Sequence, residues 1–318
     1  MDLPTVSKEE FNKVATHPLQ TWEWGEFRQK WGNEVVRFSF GQITVHKIPG
    51  INFKIGIFEK GPAPTIEMLS TLKKYAQENK VLFIRLEPNI ETDNKIVELL
   101  KNNGCVPGRR IFTPSTFVID LTPSEEDLLK SFTPKTRYNI RVAQKHGVEV
   151  IEDNSNEAFE KYLELTRETA KRQGFYAHNE KYHRLMWQTL HTEPVARGEE
   201  PLARLQIAKY QGHIITTWIL FSFGDHLYYP YGASTDKFKQ VMANNLMLWE
   251  AVQRGKSLNL KLFDLWGRET GKGFTKFKEG YNPQVVTFIG TWDLIASPWY
   301  YLYRILESIR WFILKLIK

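Results

Sequence analysis

The chain has 318 residues, 42% hydrophobic and 25% charged, with a formal net charge of +7 at pH 7. That length favours two domains over one, and that composition excludes a disordered chain. A single cysteine, Cys105, excludes a disulfide framework and a cysteine-based zinc site, while the modest basic excess favours a polyanionic partner such as nucleic acid, a nucleotide or anionic lipid. The opening residues MDLPTVSKEEFNK carry no basic stretch followed by an apolar core, and nowhere do about 18 uncharged apolar residues run together. The expected compartment is the cytoplasm.

Ser7 with Glu10 forms a capping-box start to a short helix. Thr21 caps a second helix on which Trp24, Phe27 and Trp31 recur at helical spacing, leaving Arg28 and Lys30 off that aromatic face. Residues 34–40 and 42–48 read as strands joined at Gly41, followed by a Gly/Pro-rich loop over 49–64. A helix over 66–79, a buried strand over 81–86, a helix over 93–103 and a strand over 115–121 complete a mixed α/β half. Glu87-Pro88 sits just past a strand end, where α/β folds tend to place ligand contacts.

The segment SFTPKTRYNIRVAQKHGVEV is the most sharply punctuated helix: Thr133 caps it, Pro134 opens it and Gly147 stops it. Arg137, Arg141 and Lys145 stand four apart with no acidic residue between Ser131 and Gly147. Like charges at that spacing oppose the helix, so the pattern fits either a counter-anion or a basic helix sealing a domain junction. Next come a strand over 148–151, helices over 156–173 and 179–192, and a meander of strands over 203–210, 214–223 and 226–231. A helix over 243–254, a strand over 258–265 and a last strand over 285–289 follow.

This order of elements resembles the acyl-CoA N-acetyltransferase (GNAT-like) fold, and the first half repeats it less completely. Coenzyme A enzymes cradle a pyrophosphate on a glycine-rich turn entering a helix. Here the equivalent residues, Gln240-Val241-Met242-Ala243, contain no glycine, so acetyl transfer from coenzyme A is not expected and no cofactor is implied. No histidine falls in a metal-ligand spacing, so no metal is expected. LFDLWGRETGKGFTKFKEGY, residues 262–281, runs from a strand into a glycine-punctuated segment with Lys272, Lys276 and Lys278. Such a segment is either a site, with a lysine held among aromatics, or a solvated basic helix. In PWYYLYRILESIRWFILKLIK, one helical side carries Leu302, Ile305, Leu306, Ile309, Phe312, Ile313 and Leu316, and the other Arg304, Glu307, Ser308, Lys315 and Lys318. This helix fits docking on the first half or lying in the plane of an anionic membrane.

Taken together, WEWGEFRQKWG, KTRYNIRVAQKHGV, TRETAKRQGF, YYPYGAS, FDLWG, and GFTKFKEGY followed by VTFIGTWDL resemble, in order and over nearly the whole length, the FemABX family. That family comprises aminoacyl-tRNA-dependent peptidyltransferases of peptidoglycan precursors, and this chain is similar to its armless type. The resemblance implies an α/β protein of two tandem GNAT-like domains with a cleft between them: residues 1–130 with 291–318 on the muropeptide side, and 131–290 on the aminoacyl-tRNA side. It implies diphosphate contacts at Trp24 and Arg28, with arginine where lysine is usual, and at Arg172, with His178 as a rival. Phe277 and Lys278 match the residues at the aminoacyl ester, Glu87 matches a strand-end acid, and Tyr229 and Tyr231 would line the stem-peptide channel. Arg137, Arg141 and Lys145 would take tRNA phosphates. The expected reaction moves an amino acid from aminoacyl-tRNA to the stem-peptide side-chain amine of lipid II or UDP-MurNAc-pentapeptide. An amine attacking an activated ester needs alignment and a positive group near the developing oxyanion, for which Lys278 is the candidate. The alternatives are a non-catalytic basic adaptor on anionic membrane or RNA, and an acyltransferase of the same fold acting on a small amine.

Overall fold

The computed structural model describes residues 7–174, 178–192, 195 and 200–316. Phe175, which ends the TRETAKRQGF stretch, Lys318 and the side chains of Lys315 and Leu316 lie outside the described residues. The chain divides into two compact units, Met1–Phe112 with Phe288–Lys318, and Thr113–Thr287.

In the first unit α1 (Lys8–Val14) starts with the expected capping box, and Thr21 caps α2 (Trp22–Lys30). Strands β1 (Glu34–Phe38) and β2 (Gly41–Lys47) form an antiparallel hairpin. A third strand, β3 (Lys54–Gly61), lies inside the stretch expected to be loop. Glycine is needed there because a Cβ at Gly56 would fall 2.9 Å from the Ile84 side chain, so the residue that reads as a loop signal permits close strand packing. Helix α3 (Ile66–Glu78) then leads to β4 (Val81–Pro88), parallel to β3 and buried at every position. Helix α4 (Asn94–Asn102) and β5 (Cys105–Pro107) follow.

The second unit begins with β6 (Ser115–Asp120), α5 (Glu125–Ser131), α6 (Pro134–Lys145), β7 (Glu149–Glu152), α7 (Asn156–Gln173) and α8 (Glu180–Leu190). The meander β8 (Ala203–Tyr210), β9 (His213–Phe223) and β10 (His226–Ser234) is followed by α9 (Ala243–Ser257), β11 (Leu262–Asp264), α10 (Gly273–Glu279) and β12 (Gln284–Thr287). The expected strand over 258–265 shrinks to three residues because α9 runs on to Ser257 and Asn259 then turns left-handed (φ 56). The chain returns to the first unit as β13 (Trp292–Ile295) and α11 (Tyr300–Leu316).

The two sheets have the orders β1-β2-β3-β4-β13-β5 and β12-β6-β11-β10-β9-β8-β7. Strand β6 therefore belongs to the second sheet, and the boundary falls at Phe112/Thr113 rather than at residue 130. In the second unit α9 packs on one face, where Trp218, Leu220 and Trp249 join one core, while Phe221 faces the other way, towards Tyr231 and His183.

Candidate active site

Lys278 is the most heavily built side chain of the sequence-derived set. Strands β10 and β11 run parallel from His226↔Leu262 to Tyr228↔Asp264, then part: β10 continues beside β9 alone, and β11 turns away. The turn uses Trp266 and Gly267, both left-handed (φ 57 and 51). A bulky residue rarely takes that conformation. Asp264 holds it there, its Oδ1 accepting hydrogen bonds from the Trp266 amide at 2.7 Å and from Thr116 Oγ1 at 2.5 Å. Two carbonyls are thereby aimed at one point, and Lys278 Nζ donates to both, to Trp266 O at 2.5 Å and Gly267 O at 3.1 Å. An ammonium has three N–H donors, so among the described residues one remains for a reacting group.

Helix α10 carries this lysine, and Thr275 ties it back by donating to the Glu269 carbonyl (2.7 Å) and accepting from the Glu269 amide (3.1 Å). The Lys278 side chain lies among Tyr229 and Phe274, their ring centroids 5.9 and 5.0 Å from Nζ, and the residue is 6% exposed. Burial pulls its pKa down to about 8, against the opposing pull of the Asp264 charge. Of the two readings of residues 262–281, the solvated helix does not describe this lysine. Asp264 and Thr116 were not singled out from the sequence; the aspartate one residue before a Leu-Trp-Gly turn was the available signal.

Phe277, next to Lys278, packs edge-on against Tyr281 and lines a cavity of about 350 Å³ together with Arg172, Thr216, Ser234 and Asn244. The N-terminal turn of α9 opens on this cavity. Its N-cap, Met242, is left-handed (φ 54) and supplies no side-chain cap, so a non-glycine residue makes the turn where the sequence lacked glycine. Arg172 does not stand free: Nε lies 3.1 Å from Asp236, Nη1 lies 3.6 Å from Glu168, and Nη2 donates to Ser234 O at 3.0 Å. His178, its rival, stacks on Tyr182 at 3.9 Å.

Alternation along β10 would put Tyr229 and Tyr231 on one face. A bulge between Tyr228↔Phe221 and Tyr231↔Ile219 sets two β10 residues against one of β9. Tyr229 therefore stacks on Trp218 at 3.9 Å beside the α9 core, and Tyr231 meets His183 and Phe221 on the opposite face. A single channel lined by both tyrosines is not what this strand builds; Tyr229 is the one beside Lys278.

On α6, Arg141 and Lys145 are exposed and have no ion pair among the described residues. Arg137 instead donates to the carbonyls of Lys130 (2.9 Å) and Phe132, closing the α5–α6 junction. The junction that Arg137 closes lies within the second unit rather than between the two units, and Arg141 and Lys145 stay exposed to a counter-anion. The N-terminus of α6 abuts α10: the Thr133 amide donates to Gly280 O at 2.9 Å, and a Cβ at Gly280 would collide with Thr136 Oγ1.

In the first unit, half-buried Arg28 ends α2 with an Nε that is buried and unpartnered among the described residues. Beside it His46 is held neutral, its pKa pulled down to about 4 by burial first and the Arg28 charge second. Trp24 is interior, its indole N–H donating to Glu59 at 3.3 Å. Glu87 is also interior, accepting from the Ile111 amide at 2.9 Å and from Thr291 Oγ1. These two residues shape the unit from within, which the position of Glu87 near a strand end did not reveal. Cys105 is buried and burial pushes its thiol up to about 12, consistent with an inert core residue.

A family model described as the FemAB family matches residues 110–216 and 196–308. A lipid II:glycine glycyltransferase of Staphylococcus haemolyticus is 21% identical over 93% of this chain and 93% of its own. Among solved structures, one titled as the crystal structure of FemX superposes with a TM-score of 0.81 at 19% identity, over 95% of this chain and 99% of that one. A tandem GNAT protein from the clavulanic acid biosynthesis pathway gives a TM-score of 0.51 at 10% identity, over 81% of this chain and 79% of that one. The fold is thus the expected α/β class of two GNAT-like units.

Proposed function

The chain belongs to the FemAB family, and on that premise we propose that it is an aminoacyltransferase of peptidoglycan synthesis, moving an amino acid from aminoacyl-tRNA to the side-chain amine of a stem peptide on lipid II. The observation that carries this reading is Lys278, an ammonium kept out of water with one N–H unspent among the described residues. The relatives named as lipid II:glycine glycyltransferases support the acceptor class.

The acceptor amine attacks the carbonyl carbon of the ester that joins the amino acid to the terminal ribose of the tRNA. A tetrahedral intermediate forms, with negative charge on the former carbonyl oxygen. The carbon–oxygen bond to the ribose then breaks, the amide remains, and the ribose hydroxyl departs with the proton the amine gives up. Lys278 donates its remaining N–H to the developing oxyanion, and low local polarity strengthens that interaction. Phe277 borders the aminoacyl end, Tyr229 walls the lysine, and Arg141 and Lys145 meet tRNA phosphates. Arg28 and Arg172 are retained as diphosphate contacts, Arg28 with the stronger case because its Nε lacks a partner among the described residues, whereas Arg172 is tied to Glu168, Asp236 and Ser234.

The test is transfer of a radiolabelled amino acid from charged tRNA to lipid-linked and to nucleotide-linked muropeptide. Lys278→Ala should lower kcat by about 10²–10³. Full kcat in the variant removes the role given to Lys278. Binding of tRNA and membranes without transfer from any charged tRNA would instead favour the adaptor.

A further inference from the structure

Helix α11 packs on its unit with its polar side inward. Tyr300, Tyr303, Arg304 and Glu307 recur at helical spacing and are the residues turned towards β4 and β13. They close a buried network. Arg85, 8% exposed, donates through Nε and Nη2 to the fully buried Asp293 (2.8 and 3.0 Å) and through Nη1 to Glu307 (3.2 Å). Tyr300 OH donates to the same Asp293 at 3.0 Å, and Arg304 to Glu307 at 3.2 Å. Rotating the helix would strand these charges in the interior, which is strongly unfavourable.

The opposite side carries Leu302, Ile305, Leu306, Ile309, Phe312 and Ile313, each between 48% and 64% exposed. They sit at i, i+3, i+4, i+7, i+10 and i+11 and so form one continuous stripe. A water-facing helix ordinarily has the reverse arrangement, and a contiguous apolar patch of this kind marks an interaction surface.

We infer that this stripe docks in the plane of an anionic lipid bilayer, with α11 lying along the headgroup boundary. Charge decides between a bilayer and a second copy of the chain. Beyond the inward Arg304–Glu307 pair the sequence from Trp299 onward holds Arg310, Lys315 and Lys318 and no further acidic residue, and Arg109 adds a guanidinium 3.8 Å over the Trp311 ring. A second copy would set these cations against their own images, whereas acidic headgroups complement them. Trp299, 57% exposed, is an aromatic of the type that settles at such a boundary. No helix among the described residues is long and apolar enough to cross a membrane, so the contact is in-plane. This inference stands on the surface alone and not on the transfer reading.

The test is flotation of the full chain with phosphatidylcholine vesicles and with vesicles containing phosphatidylglycerol, read also by tryptophan fluorescence, with no tRNA or acceptor present. The chain should bind the anionic vesicles with a blue-shifted emission, less tightly as salt rises. Ile305→Asp with Ile309→Asp should reduce partitioning about tenfold or more while leaving the melting temperature unchanged, because both positions face solvent. Equal binding by the variant, or no vesicle binding by the unmodified chain, overturns the inference. A solution dimer that the same substitutions dissolve, without vesicle binding, overturns it in favour of a second copy.

Discussion

Lys278 couples stability and activity at a single nitrogen. Its pKa of about 8, against an ordinary value of 10.5, means the unfolded chain binds more protons than the folded one between those pH values. Stability contributed by this residue therefore rises with pH across that window, and at neutral pH the buried ammonium is a liability to the fold. Lys278→Met, which keeps the volume and removes the charge, also leaves the Trp266 and Gly267 carbonyls without their donor. What it should abolish is the pH dependence, so that thermal scans show the parent gaining on the variant as pH rises from about 8 to 10.5, while transfer collapses. Activity runs the other way. The oxyanion needs the ammonium, so kcat should fall as pH rises through about 8, even though the attacking amine gains from being deprotonated. An ordinary exposed lysine in this role would hold the rate until about pH 10.5, and a pH–rate profile with no falling limb near 8 would show that the charge of Lys278 is not required.

Helix α6 divides its cations by what they touch, and substitution should separate them. Arg137→Ala leaves the carbonyls of Lys130 and Phe132 short of a donor and should cost about 1–2 kcal/mol of stability, seen in urea unfolding, with the salt dependence of tRNA binding unchanged. Arg141→Ala and Lys145→Ala should leave stability alone and make log affinity less steep against log salt, by roughly one unit for each phosphate left without its cation. If Arg137→Ala changes the slope as well, its side chain leaves the α5–α6 junction when RNA binds. The limits of the sequence lie at this same scale. Caps and stops at Ser7, Thr21, Thr133 and Gly147 named helix ends because each acts within a few residues. The β10 bulge, the strand through Gly56 and the interior placement of Glu87 depend on partners far along the chain: Phe221 and Ile219 for the first, Ile84 for the second, Thr291 for the third. Of the site, the lysine was legible because an FKEGY motif is local. The two carbonyls that hold it were not, since they arise from a left-handed tryptophan that no propensity favours.

Order along the chain and membership of a sheet diverge at both junctions. The strand after Thr113 reads as the close of the first half but pairs with β11 and β12 of the second sheet, and β13, after the second unit, lies between β4 and β5. The second unit is therefore one continuous segment, with seven strands and a core built around Phe132, Trp218, Phe263 and Tyr281. The first unit is discontinuous: residues 288–318 supply β13, on which β5 pairs among the described residues, together with the carboxylates and the helix that enclose Arg85. Without them β4 becomes an open edge, and Leu82 and Phe83 lose the cover of Tyr300; burial of that kind carries a large part of the small net stability of a domain this size. A fragment of residues 113–287 should thus unfold cooperatively by circular dichroism, and a fragment of residues 1–112 should not. Adding 288–318 to the shorter fragment through a flexible linker should restore a cooperative transition, and restoration should fail when the added segment carries Asp293→Leu, because the re-buried arginine then loses both bonds to its fully buried counter-charge and keeps only the one to Glu307. A cooperative transition in 1–112 alone would mean that β1 to β4 form a sufficient core and that β13 completes the sheet without being needed to build it.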